Sequence, residues 1–202
     1  IKHLLDQLGN TTGLIGGVEY MVGRNVYQAT RTTPEVVSVY RMLRDMVKSG
    51  CTSCVMEVTS HALDQGRVKG IDYDIAIFTN LSHEHLDYHR TMEAYAVTKN
   101  RLFRNLSEKA RCLVNADDPW VHKITEGCPV KPLTYGIEND ADIMADNISF
   151  STSGSSFSVW YQEQKVDFFW PLVGRFNVLN ALCVIGTALL HGIALDAIAP
   201  LM

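Results

Sequence analysis

The chain has 202 residues, 47% of them hydrophobic and 20% charged, enough to bury one sizeable core or two small ones. A net charge of −4 excludes a broad nucleic-acid footprint, which needs a basic face, and no apolar run reaches a membrane span or follows a signal-peptide start. Five cysteines at irregular spacing suit a reducing compartment, so the expectation is a cytoplasmic protein with neither a disulfide framework nor membrane insertion.

In chain order, IKHLLDQLG (Ile1 to Gly9) reads as the end of an amphipathic helix stopped by glycine. TTPE (Thr32 to Glu35) opens a helix that runs from Pro34 to Lys48, with Thr33 as N-cap and Pro34 at the first position. An apolar, β-branched run follows Gly50 and Cys51, CVMEVTS, and predicts a buried strand. The CTSC pair, Cys51 and Cys54, precedes that strand rather than following one at a helix start, so it reads as packing and not as a redox motif. DIAIFTNL (Asp74 to Leu81) predicts a second buried strand. It leads into a histidine-rich turn and then a helix from about Thr91 to Asn105. A third strand, ARCLVNA, ends at Asp117 and Asp118. From about Pro129 to Pro171 the period becomes two, with a hairpin turn at Ser153 to Ser156. A last helix spans about Asn177 to His191, ended by Gly192, and ALDAIAPLM begins another helical pattern.

Helices alternating with apolar strands predict an α/β fold. Its mostly parallel sheet is flanked by helices in three layers, P-loop or Rossmann-like, with a small antiparallel β appendage. In such folds the carboxyl ends of the strands open onto the ligand crevice, and Glu57 and Asn80 fall at two of them. His83, His85, Asp87 and His89 cluster just beyond, the residue types that hold a metal. One reading is a zinc hydrolase built on that cluster. HEHLDYH departs from the H-x-H-x-D-H array of metallo-β-lactamase-like enzymes, because Tyr88 separates Asp87 from His89, and zinc held there would leave Glu57 and Lys99 without a role. A nucleotide-binding module that has lost catalysis is a third class.

Six segments in series carry a resemblance that accounts for more residues. They are TTPE, MEVTSHALDQGRV (Met56 to Val68), FTNLSHEHLDYH (Phe78 to His89), AYAVTKNRLF (Ala94 to Phe103), NADD (Asn115 to Asp118) and GRFNVLNAL (Gly174 to Leu182). Together they resemble the central, ATP-binding domain of the Mur ligase family, and SHALDQGRV and LDYH point to the branch that adds a diamino acid. The resemblance implies an ATP-dependent ligase of cell-wall precursor synthesis. It would join meso-diaminopimelate or L-lysine to UDP-MurNAc-L-Ala-D-Glu through an acyl phosphate.

It further implies magnesium as cofactor, with Glu57 and His85 as metal ligands. Lys99 would be carbamylated, so that an anion rather than a cation faces the second magnesium. Without the resemblance, a lysine on an exposed helix is ordinarily solvated. Thr32, Thr33, Thr59, Gln65 and Arg67 would contact the UDP-MurNAc-dipeptide, Arg67 by pairing with an anionic group. Asn177 and Asn180 would hydrogen-bond adenine, although Asn177 also suits a helix cap. Asn115 and Asp117 imply a nearby structural or nucleotide-side role. Glu84 stands where the family usually has Asp, and Arg31 where Asn is frequent. The expectation is a piece of a longer protein. The phosphate-binding loop G-T-N-G-K-T-T would lie just before Ile1, and a uridine-binding domain and an amino-acid-selecting domain would flank the chain.

Overall fold

The computed structural model describes all 202 residues, which fall into two compact units, Ile1–Ile71 and Asp72–Met202. The first unit begins with α1 (Lys2–Gln7), stopped just beyond its C-cap Leu8 by Gly9, which takes the left-handed conformation at φ +85. Strands β1 (Thr12–Ile15), β2 (Glu19–Val22) and β3 (Asn25–Gln28) follow, then α2 (Val36–Lys48), β4 (Ser53–Met56) and α3 (Ser60–Asp64). The sheet order is β3-β2-β1-β4, with β1 antiparallel to β2 and parallel to β4. Ile15, Tyr20 and Val22 of this sheet pack with Val39 and Met46 of α2 into one buried cluster. Cys54 belongs to that packing, and burial pushes its thiol up to about 11, as expected of a small core hydrophobe rather than a redox centre.

The helix at TTPE starts later than the sequence predicts. Glu35, not Thr33, is the N-cap, and α2 begins at Val36. The Thr33 hydroxyl is committed elsewhere, to the chain after β4.

The second unit contains β5 (Ile75–Phe78), α4 (Leu86–His89), α5 (Met92–Arg104), β6 (Arg111–Asn115), α6 (Val121–Thr125) and β7 (Leu133–Gly136). Then come β8 (Ile143–Ser151), β9 (Gly154–Tyr161), β10 (Gln164–Trp170), α7 (Arg175–Leu190), α8 (Leu195–Ile198) and a 3-10 turn at Ala199–Leu201. Its six strands lie in the order β10-β9-β8-β7-β6-β5. Strands β5 to β8 are parallel, and β8, β9 and β10 continue the same sheet antiparallel. The antiparallel part therefore grows out of β8, which belongs to both arrangements.

Side chains of β6 show why its apolar run has no alternation. Cys112 and Val114 pack with Tyr95, Ala96 and Phe103 of α5 and Ile124 of α6. Leu113, pointing to the other face, lies against Gly186 of α7. A strand covered by helices on both faces has no solvent side, so every inward position is apolar. The α/β class and the mostly parallel, helix-flanked sheet follow as expected.

Candidate functional site

In the first unit, the residues around the end of β4 form a hydrogen-bonded knot. The ladder with β1 runs one residue past the strand, because Glu57 N–H donates to Ile15 O at 2.8 Å. This leaves the exposed Glu57 carboxylate at the strand's carboxyl end, where Oε2 accepts Gly17 N–H at 3.2 Å. Gly17 is closely approached, since a Cβ there would lie 3.2 Å from Thr32 Oγ1 and 3.6 Å from Glu57 Oε2. Thr33, 1% exposed, donates its hydroxyl to Glu57 O at 2.7 Å and accepts Thr59 N–H at 3.1 Å. Thr59 in turn caps α3, accepting Ala62 N–H at 3.2 Å.

Arg67 closes the knot. It donates Nη1 to Thr33 O at 3.0 Å and Nη2 to Gln65 Oε1, and it lies 3.6 Å from Glu35 Oε1. Its Nε is buried with no partner, a donor that a ligand oxygen could satisfy. The structure thus brings Thr32, Thr33, Glu57, Thr59, Gln65 and Arg67 together, although they are scattered over two segments of sequence. Replacing Thr33 by Val keeps the shape and removes the hydroxyl, leaving Thr59 N–H and Glu57 O unpaired. We expect Thr33→Val to cost about 1–3 kcal/mol in chemical denaturation; a loss below about 0.5 kcal/mol would show that water replaces the hydroxyl.

In the second unit, Tyr95 is the centre of the histidine and lysine cluster. Thr91 caps α5 by accepting Ala94 N–H at 3.1 Å, which fixes the register of the helix. Tyr95 is 5% exposed, and one turn later Lys99 Nζ lies 5.5 Å from its ring centroid. His89 stacks on the same ring at 5.0 Å and 9°, and His85 meets it edge-on at 5.9 Å and 84°. His85 adopts the left-handed conformation, φ 59 and ψ 21, at the start of α4, an uncommon state for a residue with a side chain. Sequence reasoning missed Tyr95; its spacing of four from Lys99 was the available signal.

The zinc reading of the histidine cluster is not favoured. No three His, Cys, Asp or Glu side chains gather to hold a metal. His89 is buried and stacked on Tyr95, and the His85 ring meets the same Tyr95 edge-on. Magnesium makes a different demand, since it takes one or two protein ligands and completes its shell with water and phosphate oxygens. In the first unit the exposed Glu57 carboxylate is such an oxygen donor, and in the second the His85 imidazole is exposed.

At the start of α7, Asn177 is in the helix and not at its cap, which is Gly174. Its Nδ2 donates to Val173 O at 3.0 Å, and Asn180 Nδ2 approaches Asn177 Oδ1 at 3.4 Å, so the two amides lie side by side. Arg175 beside them pairs with Glu138 at 2.6 Å. The loop bearing Glu138 is held by Asp117, whose carboxylate accepts the N–H groups of Ile137, Glu138 and Asn139 at 2.7, 3.0 and 2.8 Å.

Residues 1–188 match the family model described as "Mur ligase middle domain". A 2,6-diaminopimelate ligase acting on UDP-N-acetylmuramoyl-L-alanyl-D-glutamate, from Halalkalibacterium halodurans, is 39% identical over 98% of the chain and 42% of its own length. The ligase of the same name from Caldanaerobacter subterraneus is 41% identical over 98% of the chain and 41% of its length. Among solved structures, a ligase of that name has TM-score 0.87 and 30% identity over 98% of the chain and 41% of its own. MurF from Acinetobacter baumannii, at 19% identity and TM-score 0.78 over 99% of the chain and 41% of its own, shares the fold. The chain spans about two fifths of the length of the curated relatives it matches.

Proposed function

The chain belongs to the Mur ligase family, as a middle domain of that family, and from this membership we propose that it is the ATP-binding part of a MurE-type ligase. The proposed reaction joins 2,6-diaminopimelate to UDP-MurNAc-L-Ala-D-Glu, as the names of its relatives say of them. The γ-phosphoryl of ATP passes to the substrate carboxylate with departure of ADP. The amino group of the diamino acid then attacks the acyl carbon, phosphate leaves, and the amine loses a proton.

The observation that carries this reading is the knot at the end of β4, in which Thr33, Thr59, Gln65 and Arg67, four of the residues assigned to the dipeptide substrate, are hydrogen-bonded around the Glu57 segment. A substrate oxygen placed at the buried, unpaired Arg67 Nε would give Arg67 a binding role in addition to its structural bonds. Glu57 of the first unit, and His85 and Lys99 (as a carbamate) of the second, are each proposed to hold magnesium. Magnesium, when bound, would supply charge neutralisation to the transferring phosphoryl group. Asn177 and Asn180 offer amide donors and acceptors to the adenine edge. The flanking uridine-binding and amino-acid-selecting domains, and a cytoplasmic location, belong to the same reading; no helix is long and apolar enough to cross a membrane.

The test is phosphate release by the full-length protein with ATP, magnesium, UDP-MurNAc-L-Ala-D-Glu and either meso-diaminopimelate or L-lysine. We expect turnover with diaminopimelate and little with lysine. Turnover with lysine alone would reverse the substrate assignment, and turnover with neither would overturn the ligase reading.

A further inference from the structure

The two ends of the NADD segment have a role that the ligase chemistry above does not assign. The ladder between β5 and β6 stops at the pair Phe78 and Val114. Beyond it, side chains from the end of β6 take over. Asn115, 4% exposed, donates Nδ2 to Thr79 O at 2.8 Å and accepts Asp117 N–H on Oδ1 at 3.0 Å. Asp118, 7% exposed, accepts Leu81 N–H on Oδ2 at 2.7 Å and Trp120 N–H on Oδ1 at 2.9 Å. The peptide units on both sides of Asn80 are thus gripped from the neighbouring strand, and all four polar atoms of the two gripping side chains are in use. The Leu81 side chain is buried in the core below. The loop then runs exposed through Ser82, His83 and Glu84 to His85, whose ring rests on Tyr95.

We propose that Asn115 and Asp118 are positioning residues that clamp the base of the β5–α4 loop and so fix His85, the proposed metal ligand, before metal arrives. The inference rests on the magnesium reading of His85 given above. A loop with a charged or imidazole ligand at its tip must be ordered when metal binds, and a clamp that orders it beforehand removes that entropic cost from binding. Residues that support metal ligands in this indirect way typically change metal affinity by about 10–100-fold when replaced.

The test uses the full-length protein and the variants Asp118→Asn, Asn115→Ser and Asp142→Asn. Asp142 is the comparison, because its carboxylate also holds two groups, Thr134 N–H and Thr134 Oγ1, both at 2.8 Å, but on the β7–β8 connection. Mn2+ binding in the presence of ADP is read by electron paramagnetic resonance, beside the Mg2+ concentration for half-maximal turnover, the KM for ATP and the melting temperature. Asp118→Asn and Asn115→Ser are expected to weaken Mn2+ binding about tenfold or more and to raise the Mg2+ requirement in parallel, with the KM for ATP little changed. Asp142→Asn is expected to lower only the melting temperature. Unchanged Mn2+ affinity in whichever clamp variant folds, with only the melting temperature lowered, would overturn the clamp. Failure of the ligase reading is separate: it shows as absence of turnover in the unsubstituted protein, while Mn2+ binding still reads the clamp.

Discussion

Lys99→Ala in the full-length protein is expected to lower ligase turnover about 1,000-fold, a loss of about 4 kcal/mol of transition-state stabilisation. An ammonium facing magnesium and phosphate oxygens would repel the metal, whereas a carbamate attracts it. The neutral Lys99 amine would attack CO2, forming an N–C bond and releasing a proton, and the product is an anion. Lys99 Nζ lies over the Tyr95 ring, so a second role as a simple cation–π partner must be separated from the carbamate role. Lys99→Arg separates them, because arginine keeps a cation beside Tyr95 and cannot form a stable carbamate there. We expect Lys99→Arg to be as inactive as Lys99→Ala, and formate or acetate to restore part of the activity of the alanine variant alone. Near-normal turnover in Lys99→Arg would show that the lysine acts as a cation.

The second large effect is on stability, at the contact between β6 and α7. Leu113 is fully buried, and both of its methyl groups would lie 2.7–2.8 Å from a Cβ added at Gly186, with Ile143 Cδ1 at 3.1 Å. Glycine in the middle of a 16-residue helix costs about 1 kcal/mol of helix propensity relative to alanine, and close packing against the sheet is the reason it is tolerated here. Leu113→Ala is expected to destabilise by about 2–5 kcal/mol, and Gly186→Ala by about 1–3 kcal/mol through overpacking. The double variant should lose less than the sum, because the shortened Leu113 clears the space that the new methyl needs. Denaturant midpoints and melting temperatures of the three variants test this; strict additivity would mean that α7 shifts away from the sheet instead of meeting Leu113.

The helices and the central strands were legible in the sequence because their signals are local. Thr91 and Asn105 bracket a predicted helix whose observed span is Met92–Arg104, and the apolar runs at Ile75–Phe78 and Arg111–Asn115 are strands. The first three strands were not legible. Each exists because of its pairing, β1 with β4 across the whole of α2 and β2 between β1 and β3. The start of α2 was misplaced for the same kind of reason, since the Thr33 hydroxyl that suits a cap locally finds Glu57 O and Thr59 N–H in space.

The sequence by itself determined the family and the α/β class, because six ordered motifs and their spacing are properties of the chain alone. Only the tertiary structure decided what their residues do to one another. It made Tyr95 the common neighbour of His85, His89 and Lys99, gathered no three metal-binding side chains, and bonded Asn115 and Asp118 to the backbone on both sides of Asn80. Side-chain direction and hydrogen-bond partners depend on where distant segments come to lie, and that is set by packing rather than by any local pattern.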